Sequence, residues 1–259
     1  MEKYASSSDG QKIHYKETGT GDTALILVHG WLGNAEWWEN QKEYFKNKYR
    51  IVQMDLAGHG KSDKSRKNWS SEQYAEDIKA VASQIDSKDI ILVGHSMSGA
   101  YVLEAALKIP NLKSVILVDT IKNLDETFPM EQVEELLFVH YRNDFKNAVE
   151  NILPQFLFVE KTPETVKERV QKEFLQNTGE MAIELLIPLY KTDFRKAASQ
   201  IKVPVRAINS DASPTNADAN RQYLQDFDYV NISDVGHYPM LEKPQEFNIL
   251  LENILEQTN

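Results

Sequence analysis

The chain has 259 residues, 41% hydrophobic and 26% charged, enough core-forming material for one sizeable globular unit or one unit carrying a large insertion. A formal net charge of -10 offers no attraction to phosphate backbones or anionic membranes, so neither nucleic acid nor membrane is an expected partner. The lack of cysteine excludes a disulfide scaffold, a thiolate metal site and a cysteine nucleophile.

The first residues, MEKYASSSDGQ, lack the apolar stretch of a signal peptide, and the longest apolar runs are strand-sized, not membrane-spanning. A cytoplasmic protein is the expectation. The segment near Tyr4 and residues 12–17 read as an antiparallel hairpin at one edge of a sheet. Short β-branched runs then recur, each followed by a turn. Residues 24–28 precede HGWLGN, 51–54 precede DLAGHGKSD, and 90–93 precede GHSMSG. Residues 115–118 precede DTIKN, 203–208 precede NSDASPTN, and 229–232 precede SDVGHYP. Continuous rather than alternating apolar runs suit strands buried on both faces of a parallel sheet. Helical patterns over 71–85, 97–108, 217–224 and 244–255 lie between them. This alternation predicts a doubly wound α/β domain with a mostly parallel sheet of about eight strands.

The rhythm breaks over residues 121–200, which show helical periodicity alone, with Pro154, Pro163 and Pro188 as punctuation. The expectation is a helical cap inserted before the last two strands, with residues 1–120 and 201–259 forming the core domain. Its charged stretch EKTPETVKERVQKEF reads as a solvated helix face.

Two serines stand one residue apart in GHSMSG. A strand ending at Val93, a tight turn and a helix starting near Met97 form the context of a nucleophile elbow. Such a turn lifts one hydroxyl, that of Ser96, above the C-terminal edge of the sheet. The helix N-terminus behind it offers free amides to a developing oxyanion. Gly94 and the residue two after the serine must be small, because strand and helix approach closely there.

Together HGWLG, DLAGHGKS, GHSMSG and VGHYPMLEKP, in this order, resemble the α/β-hydrolase superfamily, in its cap-bearing, esterase-like branch. The resemblance covers nearly the whole chain outside the cap. One departure is that the last glycine of the G-x-S-x-G pattern is Ser98, small enough to serve as the packing residue. The resemblance implies Ser96 as nucleophile and the backbone amides of Trp31 and Met97 as the oxyanion hole. It also implies His237, in the loop before the C-terminal helix, as the general base. DLAGHGKSD is expected to be structural, with Asp55 and Ser62 bonding the loop. His29, His59 and His95 are expected to pack. His14 and His140 have no supporting constellation, and no spacing resembles a metal site. The cluster Trp31, Trp37 and Trp38 suits either a pocket lining or loop packing.

The acid of the triad is missing from its usual place. The family pattern resembling G-x-x-D-P falls on Ser210, Ser213 and Pro214, with serine where aspartate is expected. Asp119, the first residue after the strand before the cap, is the expected replacement, because some cap-bearing family members place their carboxylate there. Asp211 is the alternative. The implied function is a serine hydrolase that needs no cofactor and cleaves a small or medium carboxylic ester, lactone or thioester with an apolar portion. Haloalkane dehalogenase and epoxide hydrolase chemistry is disfavoured, since both need aspartate in place of Ser96. Carbon–carbon bond hydrolysis and perhydrolysis remain open on the same triad. A small-molecule receptor with slow or no turnover is the rival from another class.

Overall fold

The computed structural model describes residues 2–258. Its strands are β1 (Glu2–Ser6), β2 (Lys12–Thr18), β3 (Thr23–Val28), β4 (Arg50–Met54), β5 (Asp89–His95), β6 (Leu112–Val118), β7 (Val205–Ser210) and β8 (Phe227–Ile232). They form one sheet in the order β1-β2-β4-β3-β5-β6-β7-β8. β1 with β2 and β2 with β4 pair antiparallel, and all later neighbours pair parallel. This is the edge hairpin and doubly wound sheet that the apolar runs predict.

Ala24 to Val28 are wholly buried, so β3 must be covered on both faces. Helices α1 (Glu39–Phe45), α2 (Ser71–Ala82) and α3 (Met97–Ala106) follow β3, β4 and β5 in the chain. Between α2 and α3 there is direct packing, and α1 packs on the C-terminal helix, so the two pairs supply the cover. α2 begins with a side-chain cap, as Ser70 accepts from the Gln73 amide.

Between β6 and β7 the described chain is helical, with no strand. Its helices are α4 (Met130–Val133), α5 (Val139–Asn147), α6 (Pro154–Leu157), α7 (Glu164–Phe174), α8 (Gly179–Lys191) and α9 (Arg195–Ala198). Wide π-type turns over Glu134–Phe138 and Ala148–Ile152 interrupt the long pattern that reads as continuous in the sequence. α7 buries Val166, Val170 and Phe174 and exposes Glu164, Glu168 and Lys172, as its amphipathic pattern predicts, while Glu173 turns inward to accept from Trp37 Nε1. Pro154 opens α6 and Pro163 precedes α7, but Pro188 lies inside α8 instead of ending it. Three more residues follow it in the helix, so only one late amide bond is forfeited. The freed end is tied by Thr192 Oγ1, which donates to the Pro188 carbonyl at 2.8 Å.

The chain closes with α10 (Ala217–Arg221), β8, the short α11 (Pro239–Glu242) and α12 (Pro244–Gln257). Pro239 and Pro244 each stand at a helix start, where a missing amide hydrogen costs nothing. Among the described residues no helix is long and apolar enough to cross a membrane.

Candidate active site

Ser96 sits between β5 and α3 with φ 54° and ψ −124°, a backbone conformation that non-glycine residues seldom adopt. The surrounding structure holds it there. Its amide donates to the Val118 carbonyl at the end of β6 at 3.0 Å. A Cβ on Gly94 would stand 2.7 Å from Val102 Cγ2 and 2.8 Å from the Ser98 carbonyl oxygen, so the strand and helix can meet only at glycine. Ser98 is fully buried and donates its hydroxyl to the His29 carbonyl. The serine in place of the last glycine therefore fits, and it also ties the elbow to the loop after β3.

That loop lies against Ser96. A Cβ on Gly30 would meet Ser96 Cβ at 3.0 Å and His95 Nδ1 at 2.7 Å. The loop carrying the Trp31 amide thus reaches Ser96, and Met97 follows Ser96 at the first position of α3, where an amide has no intrahelical partner. Trp31 Nε1 donates to the Ala182 carbonyl of α8 at 2.8 Å, and its ring stacks on Tyr141 at 5.5 Å. Trp37 and Trp38 are wholly buried, which decides in favour of packing for these two rings.

His237 stands in the loop between β8 and α11. Ser96 Oγ lies 2.7 Å from its Nε2, and its Nδ1 lies 2.7 Å from Asp119 Oδ2. An ionised carboxylate accepts only, so Nδ1 carries the hydrogen and Nε2 is left to accept from the serine hydroxyl. Asp119 is the first residue past β6, at φ 44°, and its own amide donates to the Ile208 carbonyl of β7 at 2.9 Å. Its second oxygen accepts from the Ser210 amide at 2.8 Å and from Lys122 Nζ at 2.9 Å. Burial alone would raise this carboxyl, but the His237 ring and the Lys122 ammonium hold it well below the usual carboxylate range. Asp211 is not part of this cluster. It is exposed and accepts from the Asp234 amide at 3.3 Å.

Two residues that hold His237 were not singled out for this role by their motifs. His95 is wholly buried, and its Nε2 donates to the His237 carbonyl at 2.7 Å. Glu242 accepts from the Gly236 amide at 2.8 Å, the Tyr238 amide at 3.0 Å and Thr162 Oγ1 at 2.6 Å. Its carboxylate joins the His237 loop to Thr162 in the stretch between α6 and α7, and the Leu157 carbonyl at the end of α6 accepts from the His237 amide at 2.8 Å. The signal for Glu242 was present, as the glutamate of VGHYPMLEKP five residues after the histidine. His95 carried no signal beyond its adjacency to Ser96.

His29 and His14 serve the structure. His29 Nδ1 donates to the Gly30 carbonyl at 2.7 Å, and its Nε2 accepts from the Leu56 amide at 3.1 Å. His14, without a constellation in the sequence, is paired after all: its Nδ1 lies 2.8 Å from Asp55 Oδ2, both buried. This contact joins residues 41 positions apart, which no local pattern shows. Asp55 also accepts from the amides of Ala35 at 2.7 Å and Lys61 at 2.9 Å, and Ser62 Oγ donates to its carbonyl at 2.6 Å. These bonds give DLAGHGKSD its structural role. Among the described residues no group of three or more histidine or carboxylate side chains is arranged to hold a metal ion.

Burial pushes His59 and His95 down from 6.5 to about 3, with the His29 and His237 rings adding repulsion in turn. The unfolded chain binds protons at these imidazoles below about pH 6.5, whereas the fold keeps them neutral until about pH 3, so stability falls as pH drops through that window. Each contributes up to about 1.4 kcal/mol of loss per pH unit. Thermal unfolding followed from pH 7 to pH 4.5 is expected to show a steep fall in Tm, and His59→Gln should flatten it. A Tm independent of pH across this range would contradict the assignment of these histidines as buried and neutral.

An eight-stranded sheet with a serine on a strained strand–helix turn, and a histidine and an aspartate delivered by later strand ends, defines a hydrolase-fold enzyme. The chain belongs to the α/β-hydrolase fold family, whose pattern matches residues 23–244, and it is a hydrolase. It is 23% identical over 252 residues to a 3-oxoadipate enol-lactonase of Acinetobacter baylyi, covering 95% of this chain and 94% of that protein. It is 24% identical over 225 residues to a bifunctional esterase/perhydrolase of Acinetobacter calcoaceticus, covering 80% of this chain and 81% of that one. Among solved structures it superposes on an esterase from Exiguobacterium antarcticum with a TM-score of 0.87 at 21% identity, covering 99% of this chain and 100% of that one.

Proposed function

We propose that the protein hydrolyses small or medium carboxylic esters or lactones through an acyl-enzyme on Ser96, with His237 as general base and Asp119 as the acid of the triad. The observation that carries this reading is the unbroken relay from Ser96 Oγ to His237 Nε2 and from His237 Nδ1 to Asp119 Oδ2, each step 2.7 Å. In the first step Ser96 Oγ attacks the acyl carbon as its proton passes to Nε2. The carbonyl oxygen becomes an oxyanion held by the amides of Trp31 and Met97. The imidazolium, steadied by Asp119, then protonates the departing alkoxide. Water activated by the same nitrogen attacks the acyl carbon, and collapse of the second tetrahedral intermediate releases the acid and restores Ser96.

The named activities of the relatives, an enol-lactonase and an esterase/perhydrolase, support the ester and lactone class. We further read the helices between β6 and β7 as a cap. A cleft of about 450 Å³ lies beside residues 120–124 and mixes Leu124, Phe128 and Phe194 with Glu126, Lys191, Asp193 and Arg195; neither Ser96 nor His237 lines it. The receptor alternative gained weight from the altered position of the acid, and an Asp119 carboxylate bonded to His237 Nδ1 weighs against it.

Turnover of p-nitrophenyl esters of increasing acyl length, alongside simple lactones, tests the reading. Steady multiple-turnover hydrolysis of at least one series is expected, at turnover numbers of about 1–10³ per second for a good substrate. A protein that phosphonylates at Ser96 but turns over no ester or lactone would support the receptor instead.

A further inference from the structure

Lys122 stands three residues beyond Asp119, on the strap that leaves β6. Besides Asp119 Oδ1 at 2.9 Å, its ammonium donates to the Ser210 carbonyl at 3.0 Å and to Ser210 Oγ at 3.1 Å. It also reaches Ser213 Oγ at 3.0 Å and the Ser213 carbonyl at 3.4 Å. Only 16% of the side chain is exposed. Ser213 is the place where the family pattern puts the acid. A cation therefore occupies the neighbourhood from which the usual carboxylate is missing, and it grips the carboxylate that stands in for it.

We propose that Lys122 is a positioning residue for the relocated acid, clamping Asp119 to the end of β7 and setting, by its charge, how strongly Asp119 stabilises the imidazolium of His237. The inference rests on Asp119 acting as the acid. With Oδ2 given to His237 and Oδ1 to Lys122 and the Ser210 amide, the carboxylate cannot rotate away from the base. A fixed positive charge beside the acid also opposes a second one forming on the ring. The other ionisable groups around the relay are turned elsewhere or neutral. From the β5 end, His95 lies with its ring 5.0 Å from that of His237 and is neutral above about pH 3. Tyr238 is buried on the base loop, and Glu242 is engaged by the amides of Gly236 and Tyr238. Glu173 from α7 accepts from Trp37, and Asp211 faces Asp234.

The test is the pH profile of kcat/KM for p-nitrophenyl ester hydrolysis by the parent, Lys122→Met, Lys122→Gln and Lys122→Arg, each checked for folding by thermal unfolding. Removing the charge is expected to move the acid limb to higher pH by about one unit and to lower the plateau by about 10-fold. Lys122→Gln, which keeps a donor but no charge, should move the limb with a smaller loss in plateau, and it carries the test if Lys122→Met does not fold. Lys122→Arg should return the limb to the parent position. An acid limb unmoved in both neutral variants would overturn the proposal and leave Lys122 a merely structural tie. Asp119→Asn in the same assay separates the two levels of the account. If that variant keeps parental turnover, the triad reading itself fails. If it is inactive while the neutral lysine variants keep the parental limb, only the role given to Lys122 fails.

Discussion

Ser96→Ala is expected to lose about 10⁵-fold or more in kcat and all labelling by a fluorophosphonate, while Ser98→Ala keeps both within about 10-fold. The two hydroxyls differ in what they face. Ser96 Oγ meets His237 Nε2, and the strained φ of 54° is what aims it there. Ser98 Oγ is wholly buried and spent on the His29 carbonyl. Alanine at 98 leaves that carbonyl without its donor, so the cost should appear as about 1–2 kcal/mol of stability and not as lost chemistry. Chemical denaturation and ester turnover of the two variants check both halves. A dead Ser98→Ala beside an active Ser96→Ala would reverse the assignment.

The second large effect is expected at the acid. Asp119→Asn should fold but lose up to about 10⁴-fold in kcat, whereas Asp211→Asn should stay within about twofold of the parent. An asparagine at 119 either turns its amino group to Nδ1, forcing the wrong tautomer, or offers a neutral oxygen that stabilises the imidazolium poorly. It also removes the partner of the Lys122 ammonium. Asp211 points to the Asp234 amide from an exposed position, where an amide side chain can replace it. Steady-state kinetics at a pH above the acid limb measures both variants on one substrate. Equal losses in the two would refute the choice of acid.

Much of the sheet was legible because its information is local. The apolar runs at 24–28, 51–54 and 90–93 are strands because residues buried on both faces must be apolar throughout, and the structure extends each by one to three residues. α1, with the turn of tryptophans before it, had no such signature. ENQKEYF is short and polar, and it buries only Gln41 and Phe45. The interruptions of the helices over 130–152 were equally hidden, since wide turns leave the apolar spacing nearly intact.

The site divides in the same way. Ser96 and His237 announce themselves because an elbow and a loop histidine are written in consecutive residues. The acid does not, since Asp119 and Asp211 both follow strands of the same sheet and only the distance to Nδ1 separates them. His95 and the His14–Asp55 pair act across 142 and 41 positions of chain, and Lys122 ties Asp119, three residues away, to Ser210 and Ser213, 88 and 91 residues away, so no motif displays their roles.

The central claim is that Ser96 is a nucleophile whose reactivity depends on a base aligned by Asp119. The most direct test is the rate of fluorophosphonate adduct formation in the parent, Asp119→Asn and Asp211→Asn, read by intact mass and mapped by peptide digestion. The account predicts a single adduct on the peptide containing Ser96. It predicts formation slowed by orders of magnitude in Asp119→Asn and unchanged in Asp211→Asn. An adduct on another residue, or a rate that falls in Asp211→Asn but not in Asp119→Asn, would contradict it.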